Sequence, residues 1–207
     1  MDAKMSTGRK RKAAETKDKI YKSASSLYKK YGFENVSVDA IVNEAGISKG
    51  AFYLHFSSKD ALTAALIMEY VSKLDLSYRA FMENFPNDAS ARDVLLSLVG
   101  RIADAITNDV GYCLIRIVYR LQIDRNSETD ALLSYKRKIY AVFSSLIRRG
   151  IQQGEFASGL DADIVAEQSI TILRGFTYEW CIRYPDFQLK EQLLRHFNLL
   201  FSGIEKQ

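Results

Sequence analysis

Ser48, Lys49, Gly50, Ala51 and Tyr53 lie within one short stretch of the chain, and together they could read the edges of DNA bases. A lysine donates to guanine O6 and N7, an alanine touches a thymine methyl, and a glycine lets backbone come close to the groove floor. Around them stand Ser37, Tyr53, His55 and Lys59, whose hydroxyl, imidazole and ammonium groups suit donation to phosphates. Such contacts set register without reading sequence. The alternative reading of His55, between aromatic residues, is a packed, hydrogen-bonded side chain. Asp39, beside these positions, should repel the phosphate backbone.

These residues need a scaffold that presents them together, and the flanking pattern supplies one. Ser37 is placed as the N-cap of a short helix with Val38, Ile41, Val42 and Ala45 inward. Gly46 breaks that helix, because glycine enters the positive-φ turn at little cost. Ser48 then caps a shorter helix with Phe52 and Phe56 inward, and Ser57 or Ser58 caps a long one over 59–85 that Pro86 ends. Two short helices across a tight turn form a helix-turn-helix, whose second helix fits a major groove about 12 Å wide. A preceding helix carries Ile20, Ala24, Leu27 and Tyr31 on one face and stops at Gly32. Residues 1–13, with Arg9 to Lys12 in a row, are expected to form a mobile basic tail. Such a tail is either simply solvated or an arm on the minor groove or the phosphates.

Charge divides the chain in the same way. Among 207 residues with a net charge of +4, the first 60 hold 12 basic and 7 acidic side chains, and the remainder is close to neutral. The basic end is therefore the part expected to meet a polyanion, with affinity falling as salt rises. With 47% hydrophobic and 26% charged residues, the composition excludes a disordered, collagen-like or rod-like chain. Apolar runs are too short to span a membrane and no apolar segment follows the N-terminal charges, so a cytoplasmic protein is expected. Cys113 and Cys181 lack metal-ligand spacing and read as reduced core residues. Two histidines, no Gly-rich phosphate loop and no nucleophile beside a base argue against an enzyme. No cofactor or metal is expected.

Beyond Pro86, helical spacing continues over about 89–107, 110–123, 128–153, 162–184 and 187–204, separated by loop-forming residues such as Asn108, Asp109, Gly150, Gly154 and Pro185. Asp161 and Asp186 are placed as N-caps. The expected fold is all-α with about nine helices: a tail at 1–13, a head at 14–60 and a helical body at 61–207. Tyr112, Arg116, Tyr119, Tyr140, Arg174 and Tyr178 interrupt the apolar helices of the body. A buried arginine needs a charged partner or an anionic ligand. Arg116 or Arg174 is thus a candidate for the carboxylate or phosphate of a largely apolar ligand. The other reading of each arginine is a solvated or salt-bridged side chain.

Tyr31-Gly32-Phe33, Ser37-Val38 with Ile41, Ala45-Gly46-Ile47-Ser48-Lys49-Gly50, Phe52-Tyr53-Leu54-His55-Phe56 and Lys59-Asp60-Ala61-Leu62 together resemble the N-terminal domain of the tetracycline-repressor (TetR) family. The resemblance implies a homodimeric transcriptional regulator, commonly a repressor, with two heads on a near-palindromic operator in double-stranded DNA. It also implies an effector in the C-terminal domain that changes the spacing of the heads, with the long fourth helix as lever. The last two helices would pair with their mates in a four-helix bundle, for which Val165, Ile172, Phe176, Leu193, Phe197 and Leu200 offer an apolar stripe. Leu54 stands where the family often has an aromatic residue or histidine on phosphate. A scaffold of the same fold that binds DNA and a protein partner, without a small-molecule effector, is the alternative; a closed body without a cavity would favour it.

Overall fold

The computed structural model describes the backbone of residues 2–206 except 84, 87, 126, 135 and 136. Helix α1 (Asp2–Tyr31) buries Ile20, Ala24 and Tyr28. At 3.6 residues per turn, steps of four keep Tyr28 on the inward face. Tyr31, expected there, is 50% exposed and sits under the Lys30 ammonium. Tyr28 shares a buried hydrogen bond with Thr63 at 3.2 Å, and burial pushes its phenol up to about 12. The helix begins at Asp2, where an irregular tail was expected. Ala, Lys, Arg and Glu are good helix formers, and extending a packed helix is far easier than nucleating one. The side chains of Arg9 and Lys10 lie outside the described set.

Gly32 (φ 76°) ends α1. Helices α2 (Val38–Ala45) and α3 (Lys49–Tyr53) are capped as expected, the Ser37 and Ser48 hydroxyls each accepting a backbone N–H at 3.1 Å, from Ala40 and Ala51. Between them Gly46 is left-handed (φ 63°, ψ 40°). Ser58 caps α4 (Lys59–Glu83) through the Ala61 N–H.

The body follows with α5 (Ala91–Asp104), which continues as a π-helical turn over Ala105–Val110 and ends at Gly111 (φ 80°). Asn108 and Asp109 thus lie in a widened helix, where a loop was expected. Then come α6 (Tyr112–Ile123), a 3-10 turn (Ser127–Thr129), the four-residue α7 (Asp130–Leu133), α8 (Lys138–Gln152), α9 (Ala162–Ile182) and α10 (Leu189–Ile204). The single helix expected over 128–153 is broken between α7 and α8. The break turns Leu132 inward onto Ile67 and Val118 and leaves its carbonyl to accept from the Arg174 guanidinium at 3.0 Å. Gly150, expected as a separator, lies inside α8, where a Cβ would meet the Phe156 ring at 2.4 Å. Asp161 caps α9 as expected, whereas α10 starts at Leu189, after Gln188, so Asp186 caps nothing. The fold is all-α, with no β-strand among the described residues.

Two apolar clusters organise these helices. One joins α5, α8, α9 and α10 through Leu95, Leu98, Phe143, Ile147, Ile170, Leu173, Leu193 and Phe197. The other joins Ile20, Tyr28, Ile41, Phe52 and Phe56 of the first three helices and their loops to Leu62 and Leu66 of α4 and to Leu114, Ile117 and Leu121 of α6. The head therefore completes its core with α6, from far along the chain. Cys113 is exposed and Cys181 half-buried, so neither is the fully buried core residue expected.

Candidate nucleic-acid interface and cavity

Helix α3 is anchored from beneath and open above. Phe52 and Phe56 are buried, and the Phe56 ring contacts Tyr21 of α1 with centroids 5.6 Å apart. On the other side Ser48, Lys49, Gly50 and Tyr53 are exposed, with Ala51 and His55 half-buried. Ser37, at the start of α2, is exposed as well. The residues expected to meet a nucleic acid thus form one accessible strip, with the exception of Lys59. Its ammonium donates to the Phe33 and Val36 carbonyls, both at 3.0 Å, and lies 3.9 Å from the Phe33 ring centroid. Lys59 is half-buried and ties the loop before α2 to the start of α4. The expected phosphate contact is corrected to a positioning role, because the ammonium is turned to two carbonyls of the loop's bent backbone, of which that of Phe33 also accepts from the Val36 N–H. Leu54, at the end of α3, is 86% exposed.

Two pairings on this surface escaped the sequence reading. Lys49 donates to the Asp39 carboxylate, 2.8 Å from Oδ1, which raises the lysine pKa. Arg120 of α6 pairs with Glu34 at 2.5 Å and Asp60 at 3.6 Å, and its guanidinium lies 4.9 Å from the Phe33 ring. The partners are 10 to 86 positions apart in sequence, beyond the reach of helical spacing.

The body contains a cavity of about 150 Å³. Its walls are aliphatic, from Ile67 of α4 and Ile102 of α5 to Ile115 and Val118 of α6 and Ile170 and Leu173 of α9, with Tyr119, Gln122, Arg137, Arg174 and Thr177 as polar members. Of the six residues expected to meet a ligand, Tyr119 and Arg174 line it. The Tyr119 hydroxyl donates to the Arg174 carbonyl at 2.8 Å, and burial raises its phenol pKa. Tyr140 is buried with its ring centroid 6.0 Å from the Arg174 guanidinium, outside the lining. Tyr112, Arg116 and Tyr178 lie outside this cavity. Tyr112 stacks on Tyr184 with centroids 4.0 Å apart, the exposed Arg116 lies over the Tyr112 ring, and Tyr178 meets Tyr119 edge-on from outside. On α6 the lining stripe runs through 115, 118 and 122 with 119 at its edge, and 112 and 116 lie beyond that edge.

Residues 20–66 match the profile of the "Bacterial regulatory proteins, tetR family". Over 151 residues the chain is 30% identical to the uncharacterized HTH-type transcriptional regulator YfiR of Bacillus subtilis (strain 168), covering 69% of this chain and 70% of that one. The chain belongs to the TetR family. It is a DNA-binding transcriptional regulator with a helix-turn-helix head. Other TetR-type relatives span more of it: the HTH-type transcriptional regulator AcrR of Shigella flexneri is 24% identical, covering 93% of this chain and 91% of that one. The solved structure of SmeT, the repressor of the Stenotrophomonas maltophilia multidrug efflux pump SmeDEF, superposes with a TM-score of 0.69 at 16% identity, covering 93% of each chain.

The residues expected at a TetR-type dimer face divide in two. Leu193 and Phe197 are fully buried within the chain and belong to the body core, which corrects their assignment. Val165, Ile172, Phe176 and Leu200 are half-buried against that core. The outer faces carry other apolar residues: Ile164 (58% exposed) and Ile182 (60%) on α9, and Leu199 (69%) on α10. Apolar periodicity identifies the stripe most deeply packed, which on these helices faces inward. Among the described residues, no three of His, Cys, Asp or Glu gather as a metal site, and no helix is long and apolar enough to cross a membrane.

Proposed function

We propose that this TetR-family protein acts as a homodimeric repressor that leaves a near-palindromic operator when a small, largely apolar molecule fills the body cavity. Ser48, Lys49, Gly50 and Ala51 of α3 face base edges, while Ser37, Tyr53 and His55 donate to phosphates. The exposed apolar residues of α9 and α10 form the pairing face. Two heads about 34–36 Å apart then meet successive major grooves.

The observation that carries the regulatory part is the placement of α6. Leu114, Ile117 and Leu121 belong to the head core, whereas Ile115, Val118, Tyr119 and Gln122 line the cavity. One rigid helix therefore has one face in each, and a molecule that displaces α6 also displaces the head's floor. An effector changes operator affinity only as far as it binds one head spacing better than the other. A cavity in the body supports an effector over the alternative of a closed scaffold.

Val118→Trp tests this by placing a large side chain in the cavity. Operator affinity, read by fluorescence anisotropy on a duplex enriched from a random pool, is expected to fall tenfold or more while the far-ultraviolet spectrum keeps its helical content. A filled cavity with unchanged affinity would remove the link between cavity and head.

A further inference from the structure

Asp39 stands in the first turn of α2 and Lys49 opens α3, yet the ammonium reaches across the glycine turn to both carboxylate oxygens, at 2.8 and 3.1 Å. Both side chains are more than half exposed, and an ion pair so open to water contributes little to holding a fold together. The two helices are already fixed by the Ser37, Ser48 and Gly46 caps and by the buried Ile41 and Phe52. What the pair changes is the surface offered to DNA. A free lysine is a mobile cation that serves guanine, thymine O4 or a phosphate alike. Tied to Asp39, it becomes half of a donor–acceptor couple with hydrogen-bond spacing.

A guanine–cytosine pair presents the complementary couple in the major groove. Guanine O6 accepts and cytosine N4 donates, and these two atoms are themselves hydrogen-bonded, so their spacing matches that of Lys49 Nζ and Asp39 Oδ1. The ammonium over O6 also finds guanine N7 beside it. On an adenine–thymine pair the couple meets thymine O4 and adenine N6 only in reverse, and there the carboxylate lies against the adenine N7 lone pair and the ammonium against the thymine methyl, where on guanine–cytosine the ammonium has N7 beside it. Over a phosphate the carboxylate is simply repelled. Resting on the reading of α3 as the groove-facing helix, we infer that Asp39 is a specificity-determining residue, restricting one position in each operator half to a guanine–cytosine pair through its couple with Lys49. Its negative charge acts against wrong sequences, a penalty that adds to the discrimination a lysine alone supplies.

The test is a selection from duplexes with a randomised core, run with the full-length protein and with Asp39→Ala. Anisotropy then follows on the enriched duplex and on its single guanine–cytosine to adenine–thymine variant. The wild-type protein is expected to enrich that base pair in both halves and to discriminate about tenfold or more. Asp39→Ala should lose most of that ratio while binding random-sequence duplex more tightly, since one repelling charge is gone. An Asp39→Ala protein that keeps the ratio, or that weakens on all duplexes alike as a purely structural role would produce, overturns the inference. A wild-type protein that enriches no sequence overturns the assignment of α3 itself.

Discussion

Lys59 shows how much a single side chain here depends on what the fold brings to it. Its two carbonyl bonds and its place on the Phe33 ring make it a brace of the head. Lys59→Met should destabilise the protein by about 1–3 kcal/mol in chemical denaturation, the usual loss for hydrogen bonds to a charged group. The salt slope of DNA binding should stay the same, since no phosphate contact is removed. Glu155 is a second brace: it accepts from the Ser90 hydroxyl and the Ala91 and Arg92 N–H groups at the start of α5. Partial burial alone would raise its pKa, but these bonds outweigh it and hold the carboxyl below its ordinary value. A depressed carboxylate contributes stability above the unfolded-state pKa of about 4.3, and that contribution is lost as pH falls through the lower folded value. Melting temperatures of the wild type and Glu155→Gln should therefore differ most near neutral pH and converge below about pH 4. A constant gap would contradict this. At this scale the exposed strip of α3 was legible, because residue type and cap spacing suffice to place Ser48, Lys49 and Tyr53. The partners of Lys59, Lys49 and Arg120 were not, because they come from elements that only the folded chain brings near.

At the scale of the element, caps and turn glycines were the most readable features. Ser37, Ser48, Ser58 and Asp161 each accept the N–H groups expected of them, since a cap needs only its own helix. Breaks were harder to place. Gly150 reads as punctuation, yet it lies in α8 because the Phe156 ring fills the space beside it. Gly150→Ala should thus cost about 1–3 kcal/mol through overpacking, although alanine is the better helix former. A denaturation midpoint equal to or above wild type would contradict the close approach. Orientation was the least legible property of all. The α6 pattern places apolar residues on two faces, and only the fold shows that one face closes the head and the other lines the cavity.

For the whole molecule, the long α4 was the expected lever, and the proposed coupling gives α6 a second route with a latch of its own. Arg120 joins α6 to Glu34 before α2 and to Asp60 at the start of α4. Arg120→Ala should change stability by under about 1 kcal/mol, as befits part-exposed ion pairs. It should also weaken the effect of Val118→Trp on operator affinity, so that the double variant binds more tightly than the two single effects combined would allow. Additive effects would assign the coupling to α4 alone. The pairing face is tested by Ile182→Glu with Leu199→Glu, which should yield a monomer with intact helical content and little operator affinity. A pairing face is not legible in the sequence, because a stripe of apolar residues looks the same whether it meets its own chain or another. The most direct measurement is sedimentation velocity of the wild-type protein on an enriched inverted-repeat duplex, and on the same duplex with about five base pairs, half a helical turn, added between its halves. The expected result is two chains bound cooperatively to the first duplex and loss of that cooperativity on the second. One chain per duplex, or equal binding to both spacings, would contradict a two-headed reader of adjacent major grooves.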